Sequence, residues 1–267
     1  MKKLLILSLL ILMSYWGYLT YQEARAYEEV TRSIATSCDT HGLVSERIDE
    51  FTSIISLGLV KNKTKMTLDT LHHQQQKAKE KSQRYLYYFM ATLALFLLLL
   101  FSCTLRGATI ALSLASLIAL FYGLINPILM VTIHKQVEYF GDIILSFESK
   151  GIIGSIVKLY ESGETAIALT ILLFSLLLPL VKSLVLTLTL LFYQHPWSHT
   201  LVAFFKQIGK WSMIDVFVVA TFLVYLTSDG GGVSHAEIQV GLYFFLTYVF
   251  LSMITALLTQ KVLEQKG

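Results

Sequence analysis

The sequence predicts an all-α integral membrane protein with six transmembrane helices. Hydrophobic residues make up 55% of the 267 residues and charged residues only 15%, whereas soluble domains are about a quarter charged. The apolar residues are gathered into runs of the length that a bilayer-crossing helix needs, about 20 residues. The formal net charge is +3, but the sequence has no stripe of basic residues interleaved with aromatic ones. We therefore expect no nucleic-acid partner.

The first apolar segment, residues 1–21, is interpreted as an uncleaved membrane anchor. Lys2 and Lys3 precede its apolar run, and its far end carries an aromatic cluster typical of a membrane interface: Tyr15, Trp16, Tyr18 and Tyr21. A cleaved signal peptide is the alternative, because Ala24-Arg25-Ala26 resembles a cleavage site. The anchor is favoured because that site lies too far beyond the apolar run.

Residues 22–84 are polar and predict a small helical domain outside the membrane. Its predicted elements are a continuation of the first helix over residues 22–37, a turn at 38–42, an amphipathic helix at 43–59, a second turn at 61–64 and a helix at 66–84. Because residues 66–105 contain no glycine or proline, the last of these helices should run directly into the second span.

The other five spans are predicted from apolar runs at residues 85–105, 108–133, 166–193, 211–227 and 238–258. Arg106-Gly107 is predicted to be the short return between the second and third spans, and Asn126-Pro127 interrupts the third. Between the third and fourth spans, β-branched and aromatic residues favour a hairpin of residues 131–137 and 142–147. A short interfacial helix is expected at 151–159, and a flexible external loop at 229–237.

The basic residues orient the spans with both termini in the cytoplasm. Cytoplasmic loops are enriched in Lys and Arg, and these residues all fall on that side: Lys2, Lys3, Arg106, Lys206, Lys210, Lys261 and Lys266. Residues 197–210 are amphipathic and predict a helix on the inner membrane surface. Cys38 should then lie outside and Cys103 near the inner face, too far apart for a disulfide. No spacing typical of a metal site is present.

The fourth span carries the strongest candidate for a functional site. Ser175, Pro179 and Lys182 lie at i, i+4 and i+7, so they share one helix face. Pro179 lacks an N–H and leaves the carbonyl of Ser175 without its helical partner. An ionisable residue at membrane depth favours a functional role. The alternative is a kinked helix whose lysine side chain extends to the membrane surface.

Ser212 and Asp215 form a second candidate pair, at i and i+3 on the fifth span. Asp215 is the only acid, and Lys182 the only base, inside the last three spans, and such charges usually pair. For Asp215 the alternative is an acidic residue stabilised by a helix N-terminus. Asn126, near the outer end of the third span, and Ser252 on the last span are expected to add polar groups to the core. For Ser252 the alternative is a hydroxyl that bonds to its own helix or serves in packing.

Several motifs resemble the paraquat-inducible protein A family. They are NPIL at 126–129, SGE at 162–164, A-L-x5-S-x3-P-x2-K at 168–182 and KWSMIDVFVVA at 210–220. The resemblance covers about residues 108–260 and implies a four-span module in the inner membrane of proteobacteria. It implies that the Ser-Pro-Lys face and the Ser/Asp pair form the polar core of that module. It also implies an association with periplasmic MCE-domain proteins, which form lipid tunnels.

The chain differs from better-known family members, which carry two tandem modules with four-cysteine zinc ribbons. It is predicted to have one module at residues 108–267 and no ribbon, preceded by a transmembrane hairpin with its external domain at 1–107. We therefore expect no metal and no cofactor.

Two functions are compatible with these features. The first is a component of an envelope transport system for lipid or another apolar molecule, in which Lys182 and Asp215 couple proton or ion binding to conformational change. The alternative is an envelope stress sensor or assembly protein that acts through residues 22–84. No pattern typical of catalytic residues is present, so an enzyme is not expected.

Overall fold

The computed structural model describes residues 2–37, 61–137, 141–191 and 234–264. Within these residues, five helices are long and apolar enough to cross a membrane, which confirms a multi-pass helical membrane protein. The predicted fifth span, residues 211–227, lies outside the described residues, as do Cys38 and the predicted helix at 43–59.

The first two helices form an antiparallel hairpin. Helix α1 is Lys2–Ser37, so the prediction that the first helix continues over residues 22–37 is confirmed. Helix α2 is Lys61–Leu100 and passes Arg84 and Tyr85 without a break, as predicted from the absence of glycine and proline. The turn predicted at residues 61–64 is wrong: these residues are helical, and nothing in their sequence breaks a helix.

Aromatic rings join α1 to α2 at the level where the polar part of the hairpin meets its apolar part. The ring of Trp16 stacks on Tyr85 with centroids 5.9 Å apart and lies 5.0 Å from the ring of Tyr88. Above this level the contacts become polar. Gln75 Nε2 donates to Thr31 Oγ1 at 2.8 Å, and Lys81 pairs with Glu23 at 3.3 Å. The aromatic cluster predicted for a membrane interface therefore includes residues of both helices.

Helix α3 is Leu105–Ile125, and its bounds correct two predictions. The return from α2 occupies residues 101–104, so Arg106 and Gly107 lie in the first turn of α3 instead of forming the return. The third span does not continue to residue 133. Asn126 is the extended C-cap of α3, and the missing N–H of Pro127 prevents the helix from continuing.

A three-stranded sheet follows α3, with the strand order β2-β1-β3. Strands β1 (Leu129–Val137) and β2 (Gly141–Lys150) form the predicted hairpin, each longer than expected, with a bulge between Ile133 and His134. Strand β3 is Ser234–Ile238 and pairs antiparallel with β1, Leu129 opposite Ile238. The flexible loop predicted at residues 229–237 is therefore wrong for its last residues, which pair with the edge of the hairpin.

Three helices complete the described structure. Helix α4 is Ile152–Glu161 and confirms the short helix predicted at 151–159. Helix α5 is Thr165–Leu191 and contains a π-helical turn at Leu172–Leu177. Helix α6 is Val240–Glu264, starting two residues after the predicted span and running past its predicted end. We call the end of the bundle that carries the strands the sheet end.

Helices α3 and α6 form the centre of the described bundle. The most apolar stretches of α3 and α6 are 67% and 61% buried, against 22–28% for the corresponding stretches of α1, α2 and α5. The two central helices approach closely because Gly123 has no side chain: a Cβ there would lie 2.9 Å from the backbone N of Phe245. Next to this contact, Phe244 packs edge-on against Phe89 of α2, with ring centroids 4.7 Å apart.

Substitution Gly123→Ala should lower stability, because the added methyl group meets the backbone of α6, which cannot move aside as a flexible side chain would. Overpacking of this kind costs about 1–3 kcal/mol. Gly154→Ala on α4 is the matched control, since nothing lies within 4 Å of its Cβ position. Thermal unfolding of both purified variants in detergent checks this prediction. Equal melting temperatures would contradict the close approach of α3 and α6.

Candidate functional site

The π-helical turn of α5 ends immediately before Pro179. At its end the N–H of Leu178 donates to the carbonyl of Leu173, five residues back. Such turns are rare and appear frequently at functional sites. The sequence predicted a helix disturbed by Pro179, and the structure places the disturbance in the six residues Leu172–Leu177, which include Ser175.

Around this turn, two of the three predicted residues of α5 are buried in the bundle. Ser175 is buried at 4% exposure and Pro179 is also buried, whereas Lys182 is half-buried. The carbonyl of Pro179 accepts a hydrogen bond of 3.2 Å from the hydroxyl of Tyr248 on α6. This bond fixes α5 to the central helix pair at the point where its backbone is irregular.

Four hydroxyl side chains link α3 to α5 on the same side of α5 as Ser175. Ser113 Oγ lies 2.6 Å from Thr187 Oγ1, and Ser116 Oγ lies 3.4 Å from Ser183 Oγ. All four side chains are buried. We call Ser113, Ser116, Ser183 and Thr187 the hydroxyl seam. At its end away from the sheet, Arg106 Nη2 donates to the carbonyl of Leu190 at 3.4 Å.

The hydroxyl seam was missed in the sequence, although its spacing was visible there. Ser175, Pro179, Ser183 and Thr187 recur every four residues along one face of α5, and Arg106, Ser113 and Ser116 share a face of α3. Serine and threonine in membrane helices usually donate to their own backbone. Thr187 and Ser116 do so here, to Ser183 O and Ser113 O, in addition to their contacts across the helices.

Ser252 lies at a similar depth to the hydroxyl seam. Helices α5 and α6 both run antiparallel to α3, and the hydrogen bond from Tyr248 to Pro179 places these two residues at the same depth. Ser252 follows Tyr248 by one helical turn and Ser183 follows Pro179 by one turn, so Ser252 and Ser183 also lie at similar depth. Its side chain is 1% exposed, and its Oγ has no hydrogen-bond partner among the described residues. A buried hydroxyl without a partner is costly, so Ser252 is available to an additional polar group.

Asn126 occupies a different place from the other candidates. It is fully buried at the sheet end of α3, where its Nδ2 donates to the carbonyl of Tyr122 at 2.7 Å. The structure thus places Asn126 at the junction of α3 with the sheet, where it ends the helix. Ser212 and Asp215 lie outside the described residues, so their predicted place beside Lys182 stays a prediction.

The arrangement can stabilise a positive charge or pass a proton, because hydroxyl groups both donate and accept hydrogen bonds. Of the described side chains at this level, Lys182 is the one that carries a full charge, and it adjoins Ser183 in the sequence. No group of three His, Cys, Asp or Glu side chains that could hold a metal ion occurs in the described parts of the chain.

A double-mutant cycle of Ser113→Ala and Thr187→Val should reveal a favourable interaction between these two hydroxyls. Hydrogen bonds between membrane helices contribute about 0.6 kcal/mol on average and at most about 1.7 kcal/mol. The measurement is the free energy of unfolding in mixed micelles. A cycle that combines Ser113→Ala with Thr92→Val is the control, because Thr92 of α2 donates to its own helix at Tyr88 O. Equal coupling energies in both cycles would contradict the seam.

The family model named Paraquat-inducible protein A matches residues 107–263, more than half of the chain, and confirms the resemblance carried by NPIL and KWSMIDVF. No curated protein and no solved structure matches the chain significantly. The matched residues start at α3, so they include the hydroxyl seam, Lys182 and Asp215, whereas the hairpin of α1 and α2 precedes them.

Proposed function

Since the chain belongs to the paraquat-inducible protein A family, we propose that it is an inner-membrane component of an envelope system that moves lipid or another apolar molecule. In this proposal both termini are cytoplasmic, and the sheet and the polar part of the α1–α2 hairpin lie in the periplasm. The substrate is a membrane lipid or a molecule of similar polarity, and the protein carries out no covalent chemistry.

The hydroxyl seam next to Lys182 is the observation that supports this proposal most. Polar groups inside a membrane protein are rare, and they commonly mark the path of a substrate, ion or proton. Here they gather on the helix whose backbone is already irregular at Leu172–Leu177. An irregular helix tolerates changes in its hydrogen bonds better than a regular one, so this part of α5 is suited to a conformational change.

In the proposed mechanism, Lys182 and Asp215 are a coupled pair that faces a polar cavity open to the cytoplasm. Each charge alone in hydrocarbon would cost about 2.5–3.5 kcal/mol at the helix centre, and pairing lowers that cost. Burial disfavours the charged lysine whereas a nearby carboxylate favours it. Opening and closing of the cavity would change this balance and allow Lys182 to exchange a proton. Ser175 and Ser212 would accept hydrogen bonds from the ammonium when Asp215 moves away.

An MCE-domain protein of the periplasm is the proposed partner of the transport system. The alternative function, a stress sensor or assembly protein, draws support from the α1–α2 hairpin, which precedes the residues that match the family. The hairpin is joined to the sheet by an ion pair of 2.8 Å between Lys79 and Glu237, so a partner bound to the hairpin would act directly on the family module. Co-purification of an MCE-domain protein is the observation that distinguishes transport from sensing.

Substitution Lys182→Ala should abolish function and leave membrane insertion intact, because alanine is easier than lysine to place in a bilayer. Asp215→Asn should have the same effect. The measurement is restoration of the envelope phenotype of a deletion strain, together with the amount of each variant in the membrane fraction.

Lys158→Ala is the matched control, because Lys158 lies on the exposed surface of α4, and it should restore the phenotype fully. If Lys182→Ala also restores it fully at equal protein levels, the lysine is only a tolerated structural residue and the proton-coupled mechanism is wrong.

A further inference from the structure

A cavity of about 140 Å³ opens between α2 and the junction of β3 with α6. It combines a helix that precedes the family module with the start of the last helix of that module. On α2 its lining residues are spaced along one face: Lys79, Gln83, Leu86 and Met90, at i, i+4, i+7 and i+11. Over about 16 Å of helical rise, the wall thus changes from charged through polar to apolar.

The position of this cavity coincides with the interface between the polar and apolar parts of the protein. Tyr87 and Tyr243 stand at its edge, 70% and 47% exposed, and tyrosine is enriched where a membrane protein meets the headgroup region. The aromatic contacts of Trp16 with Tyr85 and Tyr88 lie at the same level of α2. A molecule in the cavity would have its polar end among headgroups and its apolar end toward hydrocarbon.

Lys79, at the polar end of the lining, forms an ion pair with Glu237, which precedes the lining residue Ile238 in β3. Lys79 Nζ lies 2.8 Å from the carboxylate of Glu237, and both side chains remain partly exposed, at 38% and 46%. Tyr27 also donates to this carboxylate at 3.3 Å. The pair therefore offers a cation and an anion to the same ligand, next to the amide of Gln83.

We propose that this cavity is a binding site for a phospholipid whose headgroup carries both a phosphate and a primary ammonium, that is, a phosphatidylethanolamine. The phosphate would form an ion pair with the ammonium of Lys79, and the ammonium of the lipid would donate a hydrogen bond to the carboxylate of Glu237. A phosphatidylglycerol would also pair its phosphate with Lys79, but its headgroup carries no cation, so Glu237 would lose its ion pair with Lys79 without a replacement. A choline headgroup has no N–H to donate to the carboxylate.

The size of the cavity agrees with partial enclosure of one lipid. A cavity of about 150 Å³ accommodates a molecule the size of benzene, so the site holds the headgroup region and leaves the acyl chains outside. Beyond Met90 the same face of α2 continues with Ala94, which is exposed, and Leu97, which is half-buried, and these residues provide an apolar surface for a chain. This assignment does not depend on the proposed transport function, because a lipid bound at this site need not be a transported one.

The test measures which lipids stay with the full-length protein. The protein is reconstituted in vesicles of equal parts phosphatidylethanolamine, phosphatidylcholine and phosphatidylglycerol, extracted in mild detergent and examined by native mass spectrometry. The wild-type protein should retain phosphatidylethanolamine at several times its share of the vesicle. Gln83→Trp, which places an indole over the exposed mouth, should lose this enrichment. Gln76→Trp is the matched control, because Gln76 is exposed on the same helix and does not line the cavity. This variant should keep the enrichment in phosphatidylethanolamine.

Charge substitutions test the headgroup assignment separately from the shape of the cavity. Lys79→Gln should lose the retained lipid, whereas Lys81→Gln should keep it, since Lys81 pairs with Glu23 on α1. Glu237→Gln should shift the preference toward phosphatidylglycerol, because Lys79 then has no competing carboxylate. Equal retention of all three lipids by the wild type, or unchanged retention in Gln83→Trp, would overturn the proposal. Either result leaves the role of Lys182 unaffected, because transport is not measured.

Discussion

The close approach of α3 and α6 at Gly123 is the contact on which the rest of the described structure depends. It buries the aromatic residues Phe244 and Tyr248 against α2 and α5. At the sheet end the same helix pair is joined by backbone hydrogen bonds from Gly241 N to Pro127 O and from Gln239 N to Ile128 O, both 2.9 Å. Because α6 packs on one face of α3, α5 packs on another face of α3, the one that carries Ser113 and Ser116. The polar contacts of the bundle therefore follow from a packing constraint.

In a membrane, polar groups must find partners within the protein, because hydrocarbon offers none. The described structure meets this requirement unevenly. Ser113 and Thr187 satisfy each other across two helices, whereas Ser252 Oγ is buried without a partner among the described residues. The π-helical turn and Pro179 add backbone irregularity at a similar depth. A regular bundle of equal hydrophobicity would need none of these features, which is why we connect them with Lys182 and with function.

Much of the helical architecture could be predicted from the sequence, because apolar runs and the absence of glycine or proline are local signals. The unbroken α2 and the β1–β2 hairpin are of this kind. Strand β3 could not be predicted in this way, since its partner β1 lies about a hundred residues earlier in the chain and a five-residue strand has little periodicity of its own. The hydroxyl seam could not be predicted for a related reason. Whether a hydroxyl faces another helix depends on the rotation of both helices about their axes, and the spacing of residues within one helix does not determine that rotation.

The central claim is that the face of α5 around Lys182 lines a polar cavity open to the cytoplasm. The most direct test is the reactivity of single cysteines, introduced into a protein whose own two cysteines are replaced by serine, toward a water-soluble thiosulfonate added to inside-out vesicles. Lys182→Cys should react, whereas Leu184→Cys should not, because Leu184 is 54% exposed on the outer surface of the bundle and its replacement would face lipid, where a thiol stays protonated and unreactive. Equal reactivity at the two positions, or none at Lys182→Cys, would contradict the account.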